Sequence, residues 1–284
     1  ERPSINSTTF NTNNIGYISD YEGISEPDTR RTCRNLAINI LSNLKSMRIV
    51  HIVNSFTVGY VGIIKVATST SNILQTDYST TSELWYPCKD CEVLGVDTRS
   101  VELVGLSTTS TKELSSLIVD RNLTKLDTVI VTHGSWRFPT RWGYKLSRLG
   151  YKWIYLPHGM LEPWSLRKHK LKKSIYFSLF ERPMVRKADM VGGTSTPEFA
   201  NLKKLFLEAE YTPSGIDPAK TMEIPKKATS PIQLLFLGRL HKKKGIMPLV
   251  EGWKASDLYC DPRFSLSIVG YDDGEESKLN RFLD

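Results

Sequence analysis

From Met47 onward the sequence alternates short apolar runs with longer amphipathic segments. Several of the apolar runs have no polar face, which is typical of parallel strands that helices cover on both sides. The pattern therefore predicts an α/β fold in which βα units build a parallel sheet. The predicted strands of this first unit cover residues 48–54, 83–86, 101–104, 128–132, 152–156 and 190–193.

Amphipathic segments lie between most of these runs and predict helices. In the last of them we expect Thr196 as the N-cap and Pro197 in the first turn, where its missing N–H costs nothing. Four prolines and Gly215 then interrupt every periodicity between residues 211 and 231, as a linker would. The predicted helices cover residues 62–74, 111–122, 140–149, 165–187 and 197–207.

A second unit follows, with predicted strands at 233–237 and 265–269 and predicted helices at 245–254 and 275–283. Two βα units in about 54 residues bury little surface, so we expect an incomplete domain. The predicted domains are residues 47–210 and 231–284, joined by a linker at 211–230. Residues 1–46 precede the first methionine and are expected to form a poorly ordered leader with a helix near residues 32–44, or else a functional arm.

The positive charge of the chain is concentrated in one segment. Residues 141–190 contain 12 Lys or Arg and 3 Asp or Glu, whereas the rest of the chain contains 26 and 27. This distribution favours a localised anion as partner: phosphates, a nucleic acid or an acidic membrane surface. A generally basic nucleic-acid coat is disfavoured, and we expect no nucleic acid as partner. The sequence has no run of about 18 apolar residues and no secretion signal, so we expect a cytoplasmic protein.

The four cysteines are too few and too scattered for a disulfide framework, so reduced thiols are expected. Cys88 and Cys91 form a single CxxC, which we interpret as coincidence, with a redox pair as the alternative. No Asp-x-Asp or histidine cluster suggests a metal site. Asp272 and Asp273 are adjacent on a glycine loop and are expected to be solvated.

In open α/β sheets, ligands bind beyond the carboxyl ends of the strands. Glycines and hydrogen-bonding side chains follow most of the predicted strands, which indicates a cleft between two domains. These segments are residues 59–62, 133–136, 157–160 and 193–195 in the first unit, and 238–245 and 270–274 in the second.

Two of these segments suggest anion binding. The loop with Gly59 and Gly62 lacks GxGxxG spacing, which argues against a nicotinamide enzyme; it either faces an anion at a helix N-terminus or is an ordinary βα turn. Arg239 and Lys244 lie between a strand and a helix, where they could stabilise the charge of a departing phosphate. The alternative is that residues 242–244 are a solvated charge run.

Residues 235–253, LFLGRLHKKKGIMPLVEGW, resemble the strand, GR-x-x-x-x-KG loop and helix of the retaining nucleotide-sugar glycosyltransferases of the family-4 type. Residues 156–173, LPHGMLEPWSLRKHKLKK, are similar to a cleft segment of members that assemble bacterial polysaccharides, and VTHGSW resembles their preceding strand end. The resemblance covers about residues 47–284. It implies a GT-B fold, with two Rossmann-like doubly wound parallel-sheet domains that face a cleft, the second one incomplete here.

The resemblance also implies a hexosyltransferase-type reaction, in which a sugar moves from a nucleoside diphosphate to a glycan or lipid-linked glycan during cell-surface polysaccharide synthesis. The expected catalytic residues are His158, Arg239 and Lys244, with the leaving phosphate taking the acceptor proton. No cofactor is expected beyond the nucleotide sugar as substrate, and no metal. The donor site would consist of Gly238, Arg239, Lys244 and Gly270, and the acceptor or cleft side of Gly59, Gly62, His133 and Ser195.

Three features depart from the family pattern. The donor-sugar motif with two glutamates is expected further along, beyond Asp284. The acceptor-side loop has Val61 before Gly62 in place of adjacent glycines, and Ser214 stands where the linker usually has Asn.

Residues 164–187 place basic side chains before an apolar run, and Pro183 is expected to kink or restart the helix. Either this segment rests on an anionic membrane at the inner face of the cell membrane, or its apolar part packs on the sheet. Two other functions stay open: a nucleotide-sugar epimerase or phosphorylase on the same scaffold, and a catalytically incomplete sugar-nucleotide binding protein.

Overall fold

The computed structural model describes residues 47–88, 95–167, 170–215 and 232–283. The described residues up to Gly215 form one compact unit, and those from Ile232 form a second. The expectations for the leader at 1–46, for Cys91 and for most of the linker at 211–230 lie outside the described residues.

The first unit contains a seven-stranded sheet in which every neighbouring pair of strands is parallel. The strand order is β3-β2-β1-β4-β5-β6-β7, so the chain changes direction across the sheet between β1 and β4. A crevice forms beyond the carboxyl ends of the strands at such a switch point. The strands are β1 (Arg48–Ile52), β2 (Thr81–Pro87), β3 (Glu102–Leu106), β4 (Thr128–His133), β5 (Lys152–Leu156), β6 (Met190–Gly193) and β7 (Ala209–Tyr211).

Helices connect these strands and cover the sheet. A 3₁₀ turn at Val58–Tyr60 leads directly into the first helix. The α-helices of this unit are α1 (Val61–Tyr78), α2 (Thr111–Asp120), α3 (Phe138–Arg148), α4 (Pro163–Arg167), α5 (Lys170–Tyr176), α6 (Arg182–Val185) and α7 (Thr196–Lys203).

The sheet and the helices enclose an aromatic core. Trp85, Trp153 and Tyr155 are fully buried there. The Trp153 indole N–H donates to Thr132 Oγ1 at 2.8 Å, which satisfies its buried donor. Helix α3 approaches this indole closely at Gly143, where a Cβ atom would overlap the ring.

The segment predicted as one helix at 165–187 is helical over its described residues up to Val185, but it is not a regular α-helix throughout. The segment contains α4, α5, a π-helical turn at Phe177–Glu181 and α6. Pro183 lies in the first turn of α6, and because proline has no N–H, the regular i to i−4 ladder cannot continue through it. The α-helical pattern resumes at Arg182, next to Pro183, with no break in the helical backbone.

Two other details differ from the sequence prediction. Ser195, not Thr196, caps α7: its backbone is extended and its Oγ accepts the N–H of Glu198 at 3.3 Å. The prediction also missed β7, because its sequence Ala-Glu-Tyr lacks an apolar run. This short edge strand is defined by its pairing with β6.

The second unit has two parallel strands, β8 (Ile232–Leu237) and β9 (Phe264–Val269), with helices α8 (Ile246–Ala255) and α9 (Glu276–Leu283). Short 3₁₀ turns occur at Lys242–Lys244 and Asp257–Cys260. The core is small and consists of Leu240, Ile246, Val250 and Leu279 with their partly buried neighbours. The α/β class predicted from the sequence is confirmed in both units. In the parts that the structure describes, no helix combines the length and apolarity that a bilayer span requires.

Candidate functional site

Three histidines lie in a row at the carboxyl end of the first sheet. His51 Nδ1 is 2.9 Å from His133 Nε2, and His133 Nδ1 is 2.9 Å from His158 Nε2. At the inner end, His51 Nε2 is 3.2 Å from Ser71 Oγ on α1. The row runs from β1 to the end of β4 and on to the loop after β5, which are neighbours in the sheet. The structure thus brings together His133 and His158, which the sequence places at two strand ends, and it adds His51 and Ser71.

Burial keeps these imidazoles neutral. Desolvation lowers the pKa of His51 and of His158 to about 4. The pKa of His133 is held well below its usual value, first by burial and then by the two neighbouring histidines. Glu198 acts in the opposite direction on His158, but its effect is smaller than that of burial. Each neutral imidazole has one donor nitrogen and one acceptor nitrogen, so all hydrogen bonds along such a row point in the same direction.

The loop that carries His158 has an unusual backbone. His158 has a φ of 51° and Gly159 a φ of 72°, so two successive residues are left-handed. For a histidine this conformation costs roughly 1–2 kcal/mol, and strain of this kind is often found at functional sites. The neighbouring loop after β4 also turns at a left-handed glycine, Gly134, and its Ser135 N–H donates to Met160 Sδ at 3.2 Å.

Glu198 connects the loops that follow β5 and β6. This buried carboxylate accepts the Gly159 N–H through Oε1, and the N–H and hydroxyl of Thr194 through Oε2 at 2.9 and 2.8 Å. It therefore holds the strained His158 loop against the start of α7. The Ser-x-x-Glu pattern at 195–198 is a capping-box signal that could have drawn attention to this residue.

A second buried carboxylate, Glu181, lies in the π-helical turn. Its Oε1 accepts the Trp136 N–H at 3.0 Å, the Thr140 hydroxyl at 2.9 Å and the Tyr155 hydroxyl at 3.1 Å. Burial raises the pKa of Glu181, and burial beside this carboxylate raises the pKa of Tyr155. Sequence analysis missed Glu181, because nothing local distinguishes it from a surface glutamate.

The other residues predicted for the site in the first unit, Gly59, Gly62 and Ser195, lie in or next to the first turns of helices. Gly59 lies in the 3₁₀ turn and Gly62 in the first turn of α1, and a Cβ atom on Gly62 would meet nothing within 4 Å. The local backbone therefore does not require glycine at Gly62. The Ser195 hydroxyl serves as the cap of α7.

In the second unit, the predicted residues form a loop between β8 and α8. Arg239 Nη1 pairs with Asp273 Oδ2 at 3.1 Å, and both side chains are about two-fifths exposed, at 44 % and 40 %. Lys244 ends the 3₁₀ turn and is exposed, and its ammonium has no ion pair or hydrogen bond with the described residues. Gly245 follows with a φ of 71°, a conformation that glycine adopts without strain.

The second loop of this unit packs on the first. A Cβ atom on Gly270 would overlap the carbonyl group of Gly238, so glycine is needed where β9 ends beside β8. Asp272 is exposed, as expected, and it also caps α9: its Oδ1 accepts the N–H groups of Gly274, Glu275 and Glu276. These backbone hydrogen bonds lower the pKa of Asp272, and the bond from Glu276 has the largest effect.

Two pockets in the described part of the chain lie away from the histidine row. An open pocket of about 530 Å³ is lined by Tyr144, Ser147, Arg148 and Lys187, near the amino ends of β5 and β6. A pocket of about 280 Å³ in the second unit lies between the first turns of α8 and α9, with Lys242 and Glu275 in its wall. Among the described residues, no three His, Cys, Asp or Glu side chains are arranged to hold a metal ion.

Comparison with solved structures shows the fold. A glycosyltransferase from Rickettsia africae matches 84 % of this chain with a TM-score of 0.51 at 19 % identity. This likeness is one of fold. The match spans 64 % of the Rickettsia protein, so the chain covers less than two thirds of that length. The GT-B type of α/β fold that we predicted is therefore confirmed, whereas family 4 and the retaining outcome stay predictions.

Two further structures are similar at lower scores. A UDP-forming α,α-trehalose-phosphate synthase from Burkholderia vietnamiensis matches 83 % of this chain and 67 % of its own, with 12 % identity and a TM-score of 0.46. The UDP-GlcNAc 2-epimerase of Methanocaldococcus jannaschii matches 79 % and 74 %, with 10 % identity and a TM-score of 0.38. No protein-family model matches the chain, and no curated protein matches it significantly.

Proposed function

We propose that this protein is a glycosyltransferase that takes a sugar from a nucleoside diphosphate and transfers it to a hydroxyl group of a glycan or lipid-linked glycan. The observation that carries the proposal is the loop between β8 and α8. There Arg239 and Lys244, whose ammonium has no partner among the described residues, stand at the carboxyl end of a parallel strand, just before a helix N-terminus. Cations beside a helix N-terminus are suited to a diphosphate.

Arg239 remains available to such a ligand in spite of its ion pair. Exposed ion pairs contribute little, about 0–1 kcal/mol, so a dianionic ligand can compete with Asp273. Only Nη1 is used in that pair, and the guanidinium has further N–H donors.

In the proposed reaction the bond between the anomeric carbon and the phosphate oxygen breaks, and the acceptor oxygen forms the new bond. The acceptor proton passes to an oxygen of the departing diphosphate. Arg239 and Lys244 neutralise the negative charge that grows on that group, and His158 contacts the sugar. Stabilisation that is stronger in the transition state than in the ground state accelerates the reaction.

Calorimetric titration with UDP-, GDP- and ADP-sugars tests the donor site. We expect one nucleotide class to bind, and Arg239→Ala and Lys244→Ala each to weaken it by about tenfold or more, since a charged hydrogen bond is worth roughly 1.5–3 kcal/mol. Arg263→Ala is the matched control: Arg263 pairs with Asp261 at 2.6 Å in the same unit, but just before β9 begins. Equal loss in all three variants, or in none, would contradict the assignment.

The reaction type needs a separate measurement. Incubation of the protein with the bound donor, with and without a glycan acceptor, distinguishes the alternatives by product analysis. A transferase forms a glycoside only with the acceptor present. Epimerised donor without acceptor would replace this proposal with the epimerase, and binding without any turnover would favour a sugar-nucleotide binding protein.

We also propose that α5 and the π-helical turn lie on an anionic bilayer surface. Leu171, Ile175 and Leu179 are exposed by 74 %, 51 % and 64 %, and Phe180 by 54 %. They lie within the segment at 141–190 that contains 12 basic and 3 acidic residues. Apolar side chains among basic ones favour acidic lipids over a neutral protein partner, because each nearby cation contributes about 1 kcal/mol at such a surface.

Co-sedimentation with vesicles tests this surface. We expect binding to vesicles of phosphatidylglycerol and phosphatidylethanolamine, weak binding to phosphatidylcholine, and loss of binding in the double variant Leu171→Ser and Leu179→Ser. Leu126→Ser is the control, because Leu126 is 98 % exposed but lies outside the basic segment. The proposal is refuted if the wild-type protein does not bind acidic vesicles. It is also refuted if sedimentation velocity shows that the protein dimerises through this surface.

A further inference from the structure

The inner end of the histidine row sets the direction of its hydrogen bonds. Ser71 Oγ is 2.9 Å from the carbonyl oxygen of Ala67, one turn earlier in α1, and a carbonyl can only accept. The single hydroxyl proton of Ser71 is therefore used in this bond. Ser71 Oγ can then only accept from His51, whose Nε2 must carry the proton.

The same argument applies to each ring in turn, because a neutral imidazole has one N–H. With its proton on Nε2, His51 accepts through Nδ1, so His133 donates from Nε2. His133 then accepts through Nδ1, so His158 donates from Nε2. If every hydrogen bond in the row pointed the opposite way, Ser71 would donate to His51 and could no longer donate to Ala67. That arrangement has one hydrogen bond fewer.

We infer that Ser71, acting through His51 and His133, fixes the tautomer of His158 so that its Nδ1 is a hydrogen-bond acceptor. This atom has no hydrogen-bond partner in the described part of the chain. His158 is only partly buried, whereas His51 and His133 are buried, so His158 is the member of the row nearest to solvent. Ser71, His51 and His133 are thus positioning residues, and His158 Nδ1 is the acceptor atom at the end of the row.

The consequence for ligands rests on the proposed function. An acceptor at Nδ1 bonds to a hydroxyl group and repels a phosphate oxygen, which has no proton to donate. His158 would therefore select the sugar or acceptor hydroxyl in that site. The tautomer itself does not depend on the proposed function and can be measured in the protein without ligand.

Nitrogen NMR of protein labelled with ¹⁵N-histidine distinguishes the two neutral tautomers by the shifts of Nδ1 and Nε2. The chain has five histidines, so each signal can be assigned with single His→Gln variants. We expect His158 to be a single Nε2–H tautomer at neutral pH. An Nδ1–H tautomer at His158 would overturn the inference, whatever the protein's activity.

Three variants test the role of Ser71. Ser71→Ala should reduce the ratio of Nε2–H to Nδ1–H at His158 by about fivefold, the equivalent of one net hydrogen bond. Ser71→Thr, which keeps the hydroxyl, should restore the wild-type ratio. Thr76→Ala is the matched control, since Thr76 makes the same hydroxyl bond to a carbonyl of α1 but has no hydrogen bond to a histidine in the described part of the chain.

The outcomes separate this inference from the proposed function. An unchanged ratio in Ser71→Ala would overturn the inference and leave the donor site at Arg239 and Lys244 untouched. If Ser71→Ala does not fold, His51→Leu, whose side chain can neither donate nor accept a hydrogen bond, is measured in its place, and an unchanged tautomer at His158 there would overturn the inference equally. If no nucleotide binds, the inferred preference of His158 for a ligand hydroxyl group falls, but the inferred tautomer is unaffected.

Discussion

Acid should unfold the first unit through His51. This side chain is 2 % exposed, and its pKa in the folded protein is about 4, against about 6.5 for an unfolded histidine. Between these values the unfolded chain binds a proton that the folded one does not, so stability falls as the pH falls through 6.5 and levels off below about 4. Stability is therefore greatest above the unfolded pKa.

The size of the effect follows from the same two values. Between about pH 7.5 and about pH 5, a shift from about 6.5 to about 4 removes about 2 kcal/mol from the free energy of unfolding. His133 is lowered as well and adds to the loss in the same direction. Typical domains have only about 5–15 kcal/mol of stability, so this loss should be easy to measure.

Urea unfolding at several pH values, followed by tryptophan fluorescence, measures this loss. The signal reports mainly on the first unit, whose core contains Trp85, Trp142 and Trp153. His51→Gln should be less stable than wild type at pH 7.5 but should have a shallower pH dependence, by about 2 kcal/mol over the same interval. The reasoning is refuted if His51→Gln and wild type lose stability equally with acid.

Two further predictions concern stability. Gly270→Ala should destabilise the second unit by about 1–3 kcal/mol, because the new Cβ atom meets the Gly238 carbonyl group. Gly252→Ala, at an open position of α8, should stabilise the unit by about 0.5–1 kcal/mol. Urea unfolding followed by circular dichroism should give changes of opposite sign in the free energy of unfolding. Ser195→Ala should cost about 1 kcal/mol through loss of the α7 cap, and Thr196→Ala less than about 0.5 kcal/mol; equal costs in thermal unfolding would refute the assignment of the cap.

Much of the fold could be predicted from the sequence because strands and helices have local periodicity. The strands at Lys152–Leu156 and Met190–Gly193 were predicted with their observed ends, since each is an apolar run bounded by polar or glycine residues. The edge strand Ala209–Tyr211 could not be predicted, because it owes its conformation to pairing with β6. The prediction of one helix at 165–187 does not include the π-helical turn before Pro183, because the composition of the segment does not reveal it.

The sequence alone determined which residues stand at the ends of strands, including His133, His158 and Arg239, because that depends only on where each apolar run stops. Tertiary structure decided which of them meet. His51 and His133 are 82 residues apart, and they touch because β1 and β4 are neighbours in the sheet, an order that no local pattern encodes. The same holds for Glu198, whose carboxylate reaches Gly159 across 39 residues. Hydrogen bonds act over about 3 Å of space whatever the separation along the chain, so only the packed fold could assemble the row of imidazoles.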